Sequence, residues 1–181
     1  MEFVKTDLEG LYIIKPKLIE DERGLFTRTY CKNELLTVGL KTDFVQFNHS
    51  FNKKRGTVRG MHYQMPPYSE TKLIRCVQGM VIDVAVDIRR NSPTFLKSVA
   101  VELSAENMLS ILIPKGFAHG FQTLEDNTSL IYHHTEFFQA DASAGLRPDD
   151  PELSISWPLP FVNISEKDKT QKLLNHNFKG I

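Results

Sequence analysis

The chain has 181 residues, with 22 Lys plus Arg balanced by 22 Asp plus Glu, so its net charge is zero. That length suits one domain spanning 1–181 with a sizeable core, and the charge balance lacks the basic surplus that nucleic-acid binders use. Two cysteines, Cys31 and Cys76, are too few for a disulfide framework. The Met1–Asp7 start has no apolar secretory segment, and no run nears the ~20 apolar residues of a membrane span, so a cytoplasmic, membrane-free protein is expected.

Short β-type runs recur along the chain between turn signals. Residues 11–15 precede Pro16, and residues 24–30 follow the charged turn Glu20-Asp21-Glu22-Arg23. Residues 32–36 suit a helix of one or two turns, stopped near Gly39. Residues 42–49 alternate apolar and polar side chains, and Thr57 to Gln64 is strand-like around a glycine. Strands are also predicted over 72–77, 80–87, 97–103, 110–113, 120–123 and 129–134. Met65-Pro66-Pro67-Tyr68 and Pro148-Asp149-Asp150-Pro151 are loops. Near the end, Ser165 suits an N-cap for a helix over 166–174, with Asp168 three residues on in a capping-box position. Many short strands without long intervening helices predict an all-β sandwich or barrel with a few short helices.

Chemistry concentrates first around His62. Arg59 and Lys72 are the nearby cations, and an imidazole between two cations is favoured neutral, the form that acts as a base near pH 7. The same cations suit an anionic substrate. A second signal is Ile113-Pro114-Lys115-Gly116-Phe117-Ala118-His119-Gly120-Phe121, in which Pro and Gly make a turn and His119 opens the returning strand. Pro-x-Gly-x-x-His resembles a signature of double-stranded β-helix (cupin) folds. Metal-binding cupins bring a second imidazole where this chain has Gln64, and an ammonium at Lys72 repels a divalent ion. No metal and no other cofactor is expected.

Taken together, the ordered motifs resemble one family. They are Asp21-Glu22-Arg23-Gly24, Gln46-x-Asn48-His49-Ser50, Arg59-Gly60-x-His62-Tyr63-Gln64, Lys72-Leu73-Ile74-Arg75-Cys76, Asp83 to Arg89, Leu103 to Asn107, Ile113 to Phe121, and Tyr132. The family is the dTDP-4-dehydrorhamnose 3,5-epimerases, the RmlC-like cupins. The resemblance implies a cupin-type jelly-roll β-barrel and a homodimer that exchanges N-terminal strand contacts. It also implies a metal-free epimerisation of a nucleotide-linked 4-keto-6-deoxyhexose, in supply of a deoxysugar for a surface polysaccharide such as an O-antigen or for a glycosylated metabolite. By position, His62 matches the base, Asp168 the carboxylate that orients it, Tyr132 the opposing acid, and Lys72 the cation that stabilises the enolate. Arg23 and Arg59 match diphosphate contacts, Gln46, Asn48 and His119 polar pocket residues, and Phe137 a base-stacking aromatic. The intact set of His62, Tyr132, Lys72 and Asp168 favours an epimerase over a 3,4-ketoisomerase or a non-catalytic sugar-nucleotide-binding cupin.

Departures from the family cluster in a few places. Arg28 stands where the family has a glutamate that accepts the thymine N3–H. A guanidinium only donates, which suits the acceptors of cytosine and leads us to expect a CDP-linked sugar slightly ahead of a dTDP-linked one. Phe47 and His133 replace a common aspartate and lysine, and Phe137-Phe138 a common Tyr-Tyr. These changes predict an altered pocket around a retained reaction.

Overall fold

The computed structural model describes residues 1–181 and consists mainly of β-structure. The strands are β1 (Glu2–Lys5), β2 (Tyr12–Lys15), β3 (Leu18–Asp21), β4 (Gly24–Thr27), β5 (Gln46–Asn52), β6 (Val58–Gln64) and β7 (Lys72–Gln78). They continue with β8 (Met80–Asp87), β9 (Ser98–Ser104), β10 (Ser110–Ile113), β11 (Phe117–Thr123), β12 (Thr128–His134) and β13 (Ser143–Gly145). Helix α1 covers Lys32–Leu36 and α2 covers Glu166–Lys169. A six-stranded sheet in the order β1-β2-β10-β7-β12-β5 faces a five-stranded sheet in the order β13-β6-β11-β8-β9. This is the two-sheet jelly roll expected of a cupin. No helix is long and apolar enough to cross a membrane.

Alternation along the strands builds three apolar layers. The central one lies between the sheets, where Ile74, Cys76 and Leu130 meet Val81, Ala85, Leu103 and Phe121. A second covers the outer face of the five-stranded sheet, where Met61, Tyr63, Val84 and Val86 pack under the C-terminal segment with Leu153 and Leu174. In the third, Leu35 of α1 packs with Leu73 and Leu112 of the six-stranded sheet. Apolar filling gives way to polar side chains at one end of the barrel, and there the candidate site opens.

Several boundaries differ from those expected. The run predicted over 42–49 becomes β5 only at Gln46, and β11 starts at Phe117, before His119. β1, β3 and β13 fall outside the predicted runs, and β3 takes in Glu20 and Asp21 of the expected turn. The helix predicted over 166–174 stops at Lys169, and beyond it Asp150 accepts from the Leu174 backbone N–H at 2.5 Å. β3 and β4 form a hairpin of their own that pairs with neither large sheet.

Candidate active site

A bulge in β6 builds one wall of the site. His62 pairs with His119 across the β6–β11 ladder, whereas Arg59 pairs with Phe121, so β6 spends one residue more than its partner between these points. Strict alternation would turn Arg59 and His62 to opposite faces. The extra residue brings both side chains to the same cavity. Gly60 makes this possible. Its φ is +131°, and a Cβ there would stand 2.5 Å from Gly120 Cα, so only glycine lets the two strands approach.

His62 and Asp168 are far apart in sequence and joined in space. The Nε2 of His62 lies 2.7 Å from Asp168 Oδ1, while Asp168 Oδ2 accepts from Gly60 N–H at 3.3 Å. Ser165 Oγ accepts from Asp168 N–H at 3.1 Å, which caps α2 and fixes the carboxylate's backbone. Burial pushes the Asp168 carboxyl up, but the hydrogen bond from His62 and its charge outweigh that and hold it below the usual range. An ionised carboxylate only accepts, so the imidazole nitrogen facing it carries the proton. The other ring nitrogen is turned away from Asp168.

The facing sheet supplies the second wall. Lys72 of β7 and Tyr132 of β12 line an inner cavity of about 170 Å³ together with Arg59, His62, His119, Phe121 and His134. Burial raises the Tyr132 phenol well above its ordinary value, with a hydrogen bond to Ser50 opposing, so it stays a proton donor at any physiological pH. His119 Nε2 donates to Asp83 at 2.9 Å; burial lowers its pKa and the Asp83 carboxylate only partly offsets this, which favours the neutral ring. A larger cavity of about 500 Å³ adjoins the inner one and adds Val58, Gln64, Glu70, Phe138, Asn163 and Lys167 to its lining. Arg59 reaches both cavities, held by its Nε–H to Asn52 Oδ1 at 2.7 Å.

The other sequence-predicted residues divide. Gln46 and Asn48 stand one layer behind the cavity: Gln46 Nε2 donates to Asn48 Oδ1 at 3.2 Å, and Gln46 Oε1 accepts from the Phe138 N–H at 3.0 Å. Gln64 spends its amide on loop backbone, donating to Tyr68 O and Phe137 O and accepting from Gln139 N–H. Phe137 does not line the cavity, whereas Phe138 does. The stacking expectation therefore moves by one residue, because the backbone beyond β12 no longer alternates.

Arg23 and Arg28 are not brought to this pocket. Arg23 rides the β3–β4 hairpin with its side chain 84% exposed and paired with Asp21 at 2.5 Å. Arg28 Nη1 donates to Glu34 Oε1 at 2.9 Å on the solvent side of α1. Phe47 and His133 are corrected as well. β12 and β5 are in register with His133 opposite Phe47, and the rings meet at 4.6 Å on the outer face of the sheet. They leave the pocket unaltered, since odd positions of β5 point away from it.

Glu70 and His134 are pocket residues that the sequence reading missed. A period-two count from Tyr132 would have placed His134 on the same face. Glu70 lies outside any strand, so no periodicity marks it.

Comparison with known proteins agrees with this geometry. Residues 5–176 match the family described as dTDP-4-dehydrorhamnose 3,5-epimerase. The enzyme of that name from Shigella flexneri is 44% identical over 169 residues, 93% of each chain. A crystal structure of the Bacillus anthracis enzyme with TDP and PPi bound superposes with a TM-score of 0.93 at 42% identity, over 96% of this chain and 99% of that one. The Legionella pneumophila enzyme in complex with dTDP-4-keto-L-rhamnose superposes at 0.90 with 40% identity, over 95% of this chain and 92% of that one. The expectation of a CDP sugar gains no support: the Bacillus and Legionella relatives hold thymidine nucleotides, and Arg28, the residue that argued for cytosine, pairs with Glu34 within its own chain.

Proposed function

The chain belongs to the dTDP-4-dehydrorhamnose 3,5-epimerase family of carbohydrate epimerases, and from that premise we propose that it inverts C3 and C5 of a dTDP-linked 4-keto-6-deoxyhexose. The observation that carries the reading is a base and an acid on opposite walls: His62, oriented by Asp168 at 2.7 Å, on one sheet, and Tyr132 with Lys72 on the other. The C4 carbonyl acidifies the C–H bonds on both sides of it, because the carbanion delocalises onto oxygen. His62 removes the proton through the nitrogen turned from Asp168. The Lys72 ammonium meets the charge that develops on the enolate oxygen, where a preorganised cation is worth several kcal/mol. Tyr132 returns a proton to the opposite face, which inverts the centre. Arg59, where the two cavities join, takes the diphosphate with planar geometry suited to phosphate oxygens.

The functional unit in this reading is a homodimer. The β3–β4 hairpin stands off the barrel and exposes Ile19 and Phe26 at 57% and 70%, beside Arg23. A projecting apolar hairpin that carries a phosphate-binding cation away from its own pocket suits delivery of Arg23 to a second copy.

The test is solvent exchange. Incubation of dTDP- and CDP-4-keto-6-deoxyglucose in D2O is expected to place deuterium at C3 and C5 of the dTDP sugar. No deuterium in either sugar removes the epimerase reading, and faster exchange in the CDP sugar removes the thymidine assignment.

A further inference from the structure

We propose that Glu70 and His134 form a positioning pair that aims the Lys72 ammonium at the substrate's enolate oxygen; this rests on the epimerase reading above. His134 stands directly opposite Lys72 in the β12–β7 register, so the two share a face. The Glu70 carboxylate bridges them. Its Oε2 accepts from His134 Nδ1 at 2.7 Å, and its Oε1 lies 3.3 Å from Lys72 Nζ. All three side chains are about one-tenth exposed.

The carboxylate sets the polarity at the start of this chain of contacts. Burial raises the Glu70 carboxyl, but the His134 hydrogen bond and the Lys72 charge outweigh it and keep Glu70 ionised. An ionised carboxylate only accepts, so His134 carries a proton on Nδ1. Its Nε2 meets Asn48 Nδ2 at 3.2 Å, and Asn48 Oδ1 accepts in turn from Gln46 Nε2. His134 is thus locked from both sides and pins one Glu70 oxygen in place.

The consequence falls on Lys72. With Oε2 committed to His134, Glu70 reaches Lys72 only at 3.3 Å, and the ammonium's second contact is His62 O at 3.4 Å. An ammonium has three donors. The remaining one faces the inner cavity, where Arg59, His62 and Tyr132 converge. Glu70 thereby supplies the opposite charge that a buried cation needs, and His134 fixes the carboxylate so that the ammonium is held from one side.

The experiment compares wild type with Glu70→Gln, His134→Phe and His134→Gln, reading C3 and C5 deuterium exchange, kcat, KM, dTDP affinity and thermal midpoint. Glu70→Gln and His134→Phe are expected to lower kcat about 10- to 100-fold, the usual effect of removing a group that orients an active residue. KM and dTDP affinity should stay within about threefold. His134→Gln, which keeps a donor for Glu70 and an acceptor for Asn48, should restore most of kcat. An unchanged kcat in Glu70→Gln, or a kcat loss matched by falls in dTDP affinity and thermal midpoint, overturns the pair's role. A wild type that exchanges no deuterium overturns the epimerase reading and this inference with it. An active wild type with an equally active Glu70→Gln overturns this inference alone.

Discussion

At the scale of single residues, the site works by partner choice. His62 and His134 each face an ionised carboxylate, and in each case the carboxylate places a proton on the ring nitrogen that faces it. Replacing His62 by Ala should lower the exchange rate by about 10²–10⁴-fold, the usual contribution of a general base, with the folded state retained; steady-state exchange and circular dichroism together check this. The carboxylates also link stability to pH. Asp168 and Glu70 are held below their ordinary values, and Asp87, which burial opposes but Arg89, Ser92 and Thr94 bind, is held at about 2. A folded-state pKa below the unfolded one gives stability that is full above the unfolded value, about 3.9 for Asp, and is lost as pH falls through the folded value. Asp87→Asn should therefore cost roughly 2 kcal/mol at pH 7, and that difference should fade between pH ~4 and ~2. Urea unfolding at a series of pH values measures it; a constant difference across the range would show that the carboxylate's charge is not its source.

At the scale of elements, the site depends on irregularities in otherwise regular strands. The β6 bulge turns Arg59 and His62 to one cavity, and Gly60 allows it. Gly60→Ala should destabilise the fold by about 3 kcal/mol or more, from positive φ and backbone overlap with Gly120 together; differential scanning calorimetry reads the loss. Helix α2 is short, and its main task is to hold Asp168. Ser165→Ala removes the cap and should cost about 1 kcal/mol. Because the same backbone aims Asp168 at His62, kcat should fall further than stability alone accounts for. Equal kcat in Ser165→Ala and wild type would reduce the cap to a structural part. Strand alternation also explains two residues that sequence comparison alone misplaces: Phe47 and His133 are neighbours on the outer face, and the pocket side of β5 presents Gln46, Asn48 and Ser50.

At the scale of the whole molecule, the hairpin and the pocket belong to different parts of the surface, which makes the dimer testable by mixing. Arg23→Ala and His62→Ala chains, unfolded together and refolded, should form hybrid dimers with one intact site of two. Random pairing then returns about one quarter of wild-type activity, whereas either variant alone stays nearly inactive. No recovery would place Arg23 outside the partner's site. Much of this protein was legible in the sequence. Tyr132 and Asp168 were marked only by the family resemblance, whereas strand-length apolar runs and the near absence of helical periods gave an all-β barrel, and His62 with its cationic neighbours Arg59 and Lys72 pointed to proton chemistry. These signals are local, or repeat with a fixed period, so a linear reading can find them. Only the tertiary structure decided the rest. It gave the Asp168–His62 contact, implied until then only by resemblance, its geometry, turned Arg59 inward through a bulge, moved the cavity aromatic from Phe137 to Phe138, and bound Arg28 to Glu34 outside the pocket. It also brought Glu70 and His134 to Lys72. Each of these depends on register, on a broken period or on contacts between distant segments, and pairing across space leaves no trace in the order of residues along the chain.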